Sequence, residues 1–480
     1  MALNATLVWE IRTTGAQTNG GGYKPGASGT DYSQQAAAQY ALTTVTSAGA
    51  TATMTHASAA AVMVGNTCRV VSGTNATLGW YEIISVNVGV DITVDRNWCT
   101  GAVTNGAVNV GGAFKIGGTL DNDFFEAKVA GNTIWIGPGT HTTGEGMTPT
   151  PAGTSAAPIN VKGYNAARDD APTGDNRPLI NVGTSYWNDS GGYRNYSYLR
   201  FTGSGSQHPF YTASNSTVSN CKGTYTGTSA NVVALSFSGV SGTTFINCEA
   251  SSPTGYAFGN AAYLVNCYAH DSKVGINRPG IVTGCVIDTC QTGIDIATDV
   301  TSCYNNTVRN CLLGIEAGGT DSGFFINNII ADCVTGASLA AVENQYWDYN
   351  CWSNNDTDVT NVTKGSHDVT ADALLGSGIA EGTDGVTNAA PGTTFTAASN
   401  PFGSVTTSDY LNIIEAGTGA TLGVYAISAV VGAGTLTLAT SPGASKTGID
   451  YRIVLGKDFT LGAGSPAFNA GLKLGADVGL

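Results

Sequence analysis

Short runs of apolar and small residues, broken by glycine and asparagine, repeat through the middle of the chain. The repeat starts at intervals of 27, 19, 18, 21, 22 and 22 residues, at Cys221, Cys248, Cys267, Cys285, Asn306, Asn328 and Asn350. Four of these positions are followed eight residues later by a glycine, at Gly275, Gly293, Gly314 and Gly336. A period of about twenty residues with glycine corners is typical of a solenoid.

The alternation of side chains within each repeat predicts an all-β, single-stranded parallel β-helix with about three short strands per coil. Alternation also predicts which side chains point inward. These are Val265, Cys267, Ala269, Thr283, Cys285, Ile287, Ile326, Asn328 and Ile330. The starting positions would form one interior stack, in which asparagines can build a hydrogen-bonded ladder. A second interior stack is expected at Cys290, Cys311 and Cys333.

A second repeat lies on either side of the solenoid. Residues 73–86 (GTNATLGWYEIISV) and residues 417–430 (GTGATLGVYAISAV) are identical at nine of fourteen positions. Apolar alternation and glycine or asparagine turns predict small antiparallel β structure for both. Two related small antiparallel β modules therefore bracket the solenoid.

These patterns predict four segments along the chain. Residues 1–50 form an extended attachment segment with one short helix at 31–42, capped by Asp31, and residues 51–118 form the first β module. Residues 119–390 form the parallel β-helix, whose N-terminal cap at 121–141 is a short helix, a strand and a turn. Residues 391–480 form the second β module and a C-terminal segment.

Composition and charge narrow the function classes. Lys and Arg number 20 against 34 acidic residues, which gives a formal net charge of −14. Such a chain repels nucleic acid and anionic membranes, so we expect neither as a partner. The first ten residues lack a cationic stretch before an apolar one, so we expect no secretory signal and synthesis in the cytoplasm. The cysteines number eleven, an odd number, and several stand at repeat positions, which predicts buried thiols rather than disulfides.

Two columns of polar residues offer candidate chemistry. Three residues after the starting positions, His270, Asp288 and Arg309 should point outward on adjacent coils, either as a salt bridge capped by His270 or as a grip for an anionic sugar. Ten residues after the starting positions, Asp295 and Glu316 should face solvent one coil apart. Two carboxyl groups about 5 Å apart suit a retaining glycosidase. A Ca²⁺ contact or an ordinary exposed acidic pair would use the same residues.

Aromatic clusters are the other candidates for ligand binding. Tyr186 and Trp187 lie in YWNDSGGYRNYSY, and Trp347 and Trp352 lie in QYWDYNCW. Their rings could stack on sugars, or they could cover the solenoid or fill a subunit interface. The sequence has no metal-ligand spacing, phosphate loop or nucleophile elbow, so we expect no metal and no cofactor.

Two segments resemble phage virion proteins of the right-handed parallel β-helix type. Residues 19–42 (NGGGYKPGASGTDYSQQAAAQYAL) are similar to the N-terminal segments of such proteins. Residues 130–141 resemble the A-x-x-G-D-T-I-x-x-x-x-G-T-Y pattern that leads into their first coil, with Asn132 and His141 as departures. Near the end, residues 464–471 (GSPAFNAG) resemble a segment common after β-helices.

The resemblance implies a structural role in the virion as a tail fibre, a tail spike or a head-surface decoration. It also implies a homotrimer whose partners are other virion proteins, and a host-surface glycan as ligand. Two other hypotheses stay open. One is a tail spike that depolymerises polysaccharide as a hydrolase or lyase, and the other is a bacterial surface adhesin.

Overall fold

A computed structural model describes residues 3–237, 242–296, 301–318, 323–340, 345–371, 380–388, 392–399, 401–415 and 423–454. The described chain is almost entirely β-structure and divides into two compact units. The first unit comprises Met1–Ala250 with Asn260–Ala262, and the second comprises Ser251–Gly259 with Tyr263–Leu480. The segment at 464–471 lies outside the described residues.

The first unit opens with β1 (Val8–Ile11) and β2 (Gly22–Tyr23), which pair antiparallel. β1 also pairs in parallel with a solenoid strand at Thr133–Ile136. Trp9 and Ile11 are fully buried there. The start of the chain is therefore part of the solenoid, which differs from the separate extended segment predicted for residues 1–50.

A closed barrel of six antiparallel strands follows, in the order β3-β4-β7-β6-β5-β8. Its strands are β3 (Tyr40–Ser47), β4 (Thr53–Thr55), β5 (Thr67–Ser72), β6 (Gly79–Asn87), β7 (Asp91–Val94) and β8 (Val103–Val110), with a 3-10 helix at Ala61–Met63. The predicted helix at 31–42 is wrong, because turns and bends lie within residues 31–39 and β3 begins at Tyr40. Pairing of β3 with β8 buries Leu42 and Val45 in the barrel core, and this tertiary packing outweighs helix propensity.

The solenoid of the first unit begins with the predicted short helix, α1 (Asp121–Glu126), which buries Phe124 and Phe125. A 3-10 helix lies at Gly174–Asn176. The strands are β9 (Thr133–Ile136), β10 (Thr140–Thr142), β11 (Ile159–Gly163), β12 (Leu179–Gly183), β13 (Arg194–Ser197), β14 (Arg200–Gly203), β15 (Phe210–Thr212), β16 (Thr217–Ser219), β17 (Lys222–Tyr225), β18 (Val233–Phe237), β19 (Thr244–Ile246) and β20 (Glu249–Ser251). One sheet is ordered β2-β1-β9-β11-β13-β16-β19, in which the strands from β1 onward pair in parallel and β2 pairs antiparallel with β1. The other sheet is ordered β10-β12-β14-β15-β17-β18-β20.

The second unit continues the same pattern of parallel coils. Its solenoid strands are β21 (Tyr256–Gly259), β22 (Tyr263–Val265), β23 (Tyr268–Asn277), β24 (Ile281–Thr283), β25 (Val286–Ile296), β26 (Thr301–Tyr304), β27 (Thr307–Arg309), β28 (Leu313–Ala317), β29 (Gly323–Ile326), β30 (Ile329–Ala331), β31 (Thr335–Leu339), β32 (Gln345–Asp348), β33 (Cys351–Ser353), β34 (Thr357–Thr360) and β35 (Val369–Thr370). One sheet runs β22-β24-β26-β29-β32, and the other contains β23, β25, β27, β28 and their successors. The fold is the predicted all-β, right-handed parallel β-helix.

A second closed barrel ends the described chain, in the order β36-β37-β40-β39-β38-β41. Its strands are β36 (Ala380–Thr387), β37 (Thr394–Ala397), β38 (Tyr410–Glu415), β39 (Gly423–Gly432), β40 (Thr435–Leu438) and β41 (Lys446–Val454). The strand order matches that of the first barrel, and Gly79 and Gly423, aligned in the sequence repeat, begin equivalent strands. The two bracketing modules are thus related in structure as well as in sequence.

The asparagines at the starting positions of the repeat form the predicted hydrogen-bonded ladder. Asn306 donates its backbone N–H and its Nδ2 to Oδ1 of Asn328, at 3.1 and 3.0 Å. Asn328 donates in the same way to Asn350 at 3.0 Å. Asn350 donates to Oδ1 of Asp368, whose carboxylate also accepts the indole N–H of Trp352. A buried run of amides thus ends on a carboxylate.

Part of the predicted inward set is wrong. The residue before each starting position has a positive φ, as at Asn266 (52°) and Asn327 (59°). This left-handed corner, which asparagine tolerates, breaks the alternation of side chains across it. The inward residues before the corners are therefore Leu264, Val282 and Phe325, which are buried, whereas Val265, Thr283 and Ile326 are partly exposed.

Glycine and cysteine fill the next interior columns. A Cβ on Gly293 would lie 2.4 Å from the carbonyl oxygen of Gly314, and one on Gly314 would lie 2.3 Å from that of Gly336. All eleven cysteines are buried thiols outside any disulfide, as the sequence predicts. Burial raises the pKa of Cys311 far above its usual range, so this thiol stays protonated. Among the described residues no helix is long and apolar enough to cross a membrane.

Candidate functional site

The column of His270, Asp288 and Arg309 has the predicted register, because strand pairing sets each residue beside the next. The prediction that these side chains point to solvent is wrong, since they are 7%, 2% and 2% exposed. Arg309 forms the expected salt bridge with Asp288, and His270 stacks on Tyr268 and contacts Asp271. Side chains that are buried in this way cannot bind a sugar.

One residue of the second barrel lies close to this column. Burial raises the pKa of Tyr410, the first residue of β38, to about 12, and the nearby charges of Asp271 and Asp288 add to the shift. Burial likewise raises the pKa of Asp288, and Arg309 opposes that shift. The sequence repeat does not reveal that Tyr410 lies close to these residues.

The column of Asp295 and Glu316 also has the predicted register, and the two residues pair directly between β25 and β28. Glu316 is exposed and Asp295 is partly exposed. Oδ2 of Asp295 accepts a hydrogen bond from Nδ2 of Asn277 at 2.9 Å. In-register residues of neighbouring coils lie about 4.8 Å apart. Catalysis by this pair stays a prediction.

The three candidate tryptophans are buried, which corrects the prediction that they are surface platforms. Trp187 is fully buried and packs edge-on against the ring of Phe125 at 5.0 Å. Trp347 is 4% exposed and stacks on Phe325 at 4.0 Å. Trp352 is fully buried. These rings fill the interior of the coils and present no face to a ligand.

Tyr186 is the remaining aromatic candidate, and it lines a cleft in the first unit. The cleft has a volume of about 460 Å³, within the range of small-molecule sites. The other described lining residues are Asn188, Gln207, His208 and Tyr211. Hydroxyl, amide and imidazole groups thus surround a space flanked by two tyrosine rings. This combination of polar and aromatic groups suits a glycan, whose hydroxyls need hydrogen bonds and whose C–H faces can pack on rings.

Backbone pairing between successive coils builds the cleft. The backbone N–H of Met147 donates to the carbonyl of Tyr186, and that of Tyr211 donates to the carbonyl of Trp187. The ring of Tyr186 packs over Gly146, where a Cβ would come within 2.6 Å of it. The ring of His208 stacks on Tyr211 at 5.7 Å. The cleft is therefore held in place by the coils themselves.

The polar side chains of the cleft are available for a ligand. Within the part of the chain that the structure describes, the phenol oxygens of Tyr186 and Tyr211 and the amides of Asn188 and Gln207 make no hydrogen bond to another residue. Nδ1 of His208 accepts the backbone N–H of Val233 at 2.9 Å. Burial lowers the pKa of His208. Fixed backbone with uncommitted polar side chains is the arrangement that a binding site needs.

Sequence reasoning found Tyr186 but missed the other four lining residues. The available signal was GSGSQHPFY at residues 203–211, a polar loop that ends in an aromatic strand. Its spatial partner, Asn188, bridges to Tyr211 from the preceding coil. The clear repeat starts only at Cys221, so the sequence does not reveal this pairing. The described residues contain no group of three or more His, Cys, Asp or Glu that could hold a metal ion.

Comparison with protein-family models and with curated proteins finds no match. Solved structures similar to this chain include the pectate lyase Pel9A, with 14% identity over 53% of this chain and 78% of that chain and a TM-score of 0.33. An alginate lyase from Paenibacillus sp. str. FPU-7 is 13% identical over 53% of this chain and 96% of that chain, with a TM-score of 0.37. The catalytic unit of a GH87 alpha-1,3-glucanase from Streptomyces thermodiastaticus is 9% identical over 71% of this chain and 90% of that chain, with a TM-score of 0.29. At these values the comparisons carry no argument about function.

Proposed function

We propose that this protein binds a polysaccharide of a bacterial surface through the cleft lined by Tyr186, Asn188, Gln207, His208 and Tyr211. The observation that carries the proposal is the set of uncommitted hydroxyl and amide groups beside two tyrosine rings. Sugars offer many hydroxyls and few charges, so hydrogen-bond groups and aromatic faces are the contacts that they use.

We also propose that the protein carries out this binding as a surface-exposed component of a phage virion, as a tail fibre, a tail spike or a head decoration. The resemblance of residues 19–42 and 130–141 to phage β-helix proteins supports this role. So does the acidic composition, with a formal net charge of −14. A homotrimer would carry three copies of the cleft, and linked sites raise avidity without new contacts.

The binding test is retention of the purified protein on immobilised polysaccharide extracted from candidate host cells. The double variant Tyr186→Ala with Tyr211→Ala should lose most of the retention. Tyr193→Ala removes a tyrosine that is 36% exposed and does not line the cleft, so it serves as the matched control. Equal retention of both variants and the unaltered protein would reject the cleft as the binding site.

The second candidate function is cleavage of the bound polysaccharide at Asp295 and Glu316. Their direct pairing on neighbouring coils favours it, because a retaining glycosidase needs two carboxyl groups about 5 Å apart. Incubation with host capsule or lipopolysaccharide should then release reducing ends. The variant Asp295→Asn with Glu316→Gln should abolish that release, and unchanged release would exclude this pair.

A further inference from the structure

We infer that the ligand of the cleft is an uncharged glycan, one without uronate, sialate or phosphate groups at the bound sugars. The inference rests on the proposed function and names its substrate class. It follows from the chemistry of the lining residues, from the state of His208 and from the charges around the cleft.

None of the described residues that line the cleft carries a positive charge. Tyr186 and Tyr211 contribute phenols, Asn188 and Gln207 contribute amides, and His208 contributes an imidazole. A sugar carboxylate or phosphate is normally held by arginine or lysine, often through paired hydrogen bonds. Moving such a group out of water without a counter-charge is unfavourable. The cleft therefore offers an anionic sugar nothing to offset the loss of its hydration.

His208 does not supply the missing cation. Its Nδ1 accepts the backbone N–H of Val233, so the proton of the neutral ring lies on Nε2. A second proton would have to go on Nδ1 and would break this bond. Burial acts in the same direction and lowers the pKa of the imidazole. The neutral ring still has an Nε2–H donor, which suits a sugar hydroxyl.

The charges nearest in sequence do not change this conclusion. Asp189 follows Asn188, but it is fully buried and lies 3.2 Å from Nε of Arg194, which is also fully buried. The two charges offset each other and neither reaches the ligand. Over the whole chain the formal net charge is −14, which disfavours the approach of an anion. An uncharged sugar meets no such opposition.

The test is an array of bacterial surface glycans that holds uncharged chains and chains bearing uronate or sialate, probed with the full-length protein. Each acidic chain is paired with its carboxyl-reduced form, which has the same linkages and no charge. Gln207→Lys introduces a cation among the lining residues. Ser206→Lys adds the same charge at an exposed neighbour that does not line the cleft, and it is the matched control.

The unaltered protein should bind uncharged and carboxyl-reduced chains and discriminate against the acidic forms. Gln207→Lys should raise binding of an acidic chain by roughly tenfold, because a charge-assisted hydrogen bond becomes available, and Ser206→Lys should not. Preference of the unaltered protein for acidic chains would overturn the inference and leave the proposed function intact. An equal gain for both lysine variants would overturn it as well. Absence of binding to every glycan would overturn the proposed function, and the inference with it.

Discussion

Arg309 lies beside Asp288 in the next coil, with its Nε 3.4 Å from Oδ1 of the carboxylate. Both side chains are 2% exposed, and Nδ2 of Asn310 donates to the same oxygen at 2.8 Å. Removing one member of a buried pair leaves the other charge uncompensated, whereas replacing both by apolar groups is often neutral. Breaking the pair at one residue should therefore destabilise the second unit, whereas replacing both residues together should not.

Replacing Asp288 with Ala should lower the free energy of unfolding by about 3–5 kcal/mol, because the buried charge of Arg309 loses the carboxylate that offsets it. The double variant Asp288→Leu with Arg309→Met should recover most of this loss. Urea unfolding of the full-length protein measures both effects. A single variant as stable as the original protein would contradict this reading of the pair.

The asparagine ladder predicts that two substitutions of Asn328 lower the free energy of unfolding by different amounts. Asn328→Ala leaves the buried N–H of Asn306 without its acceptor and should cost about 1–3 kcal/mol for each unsatisfied group. Asn328→Cys should cost less, because a sulfur already takes this role two coils earlier, where Cys285 Sγ accepts the backbone N–H of Cys267 at 3.3 Å. If urea unfolding gives the same free energy for Asn328→Ala and Asn328→Cys, the ladder contributes little to stability.

The glycine column predicts a strong steric effect. Gly293→Ala would put a methyl group 2.4 Å from the carbonyl oxygen of Gly314, so the coils must separate locally. Overpacking of this kind costs about 1–3 kcal/mol or more. Gly403→Ala is the control in the same unit, because no atom lies within 4 Å of its added Cβ. Thermal unfolding should separate the two variants clearly, and equal midpoints would refute the steric account.

The buried carboxyl group of Asp189 should make the stability of the first unit depend on pH. Burial raises its pKa to about 6, although Arg194 and the hydroxyl of Tyr196 oppose the shift. Between about pH 4 and pH 6 the folded protein holds a proton that the unfolded chain has released. The contribution of this group to stability is therefore present at low pH and is lost as pH rises through 6.

The variant Asp189→Asn isolates that contribution. The difference in unfolding free energy between the original protein and the variant should shrink as pH rises from 4 to 7, because asparagine does not titrate. Guanidinium unfolding at several pH values measures it. A difference that is constant over this range would show that Asp189 has no raised pKa.

The fold was predictable because each coil repeats the same chemistry at the same place. Cys285 and Asn306 occupy equivalent interior positions, and Gly293 and Gly314 occupy another, so the spacing alone shows the coils. The left-handed corner at Asn266 was not visible in the hydrophobic pattern, and it moved the inward position from Val265 to Leu264. A positive φ at one residue is thus enough to make alternation along the chain predict the wrong inward-facing side chain.

The candidate site was less predictable because it depends on contacts between segments with irregular spacing. Asn188 and Tyr211 are neighbours only because their coils pair, and the region before Cys221 has no clear repeat. The burial of His270 depends on what packs over the outer face of the coil. Local pattern gives the register of a column, but tertiary packing decides whether solvent reaches it.

The central claim is that a glycan binds in the cleft of the first unit. Hydrogen exchange of the full-length protein, with and without a fragment of the polysaccharide that it binds, tests this most directly. We expect slower exchange in peptides that cover residues 184–190 and 204–213, and no change in peptides that cover residues 270–318. Slower exchange confined to the peptides around Asp295 and Glu316, with none at the cleft, would contradict it.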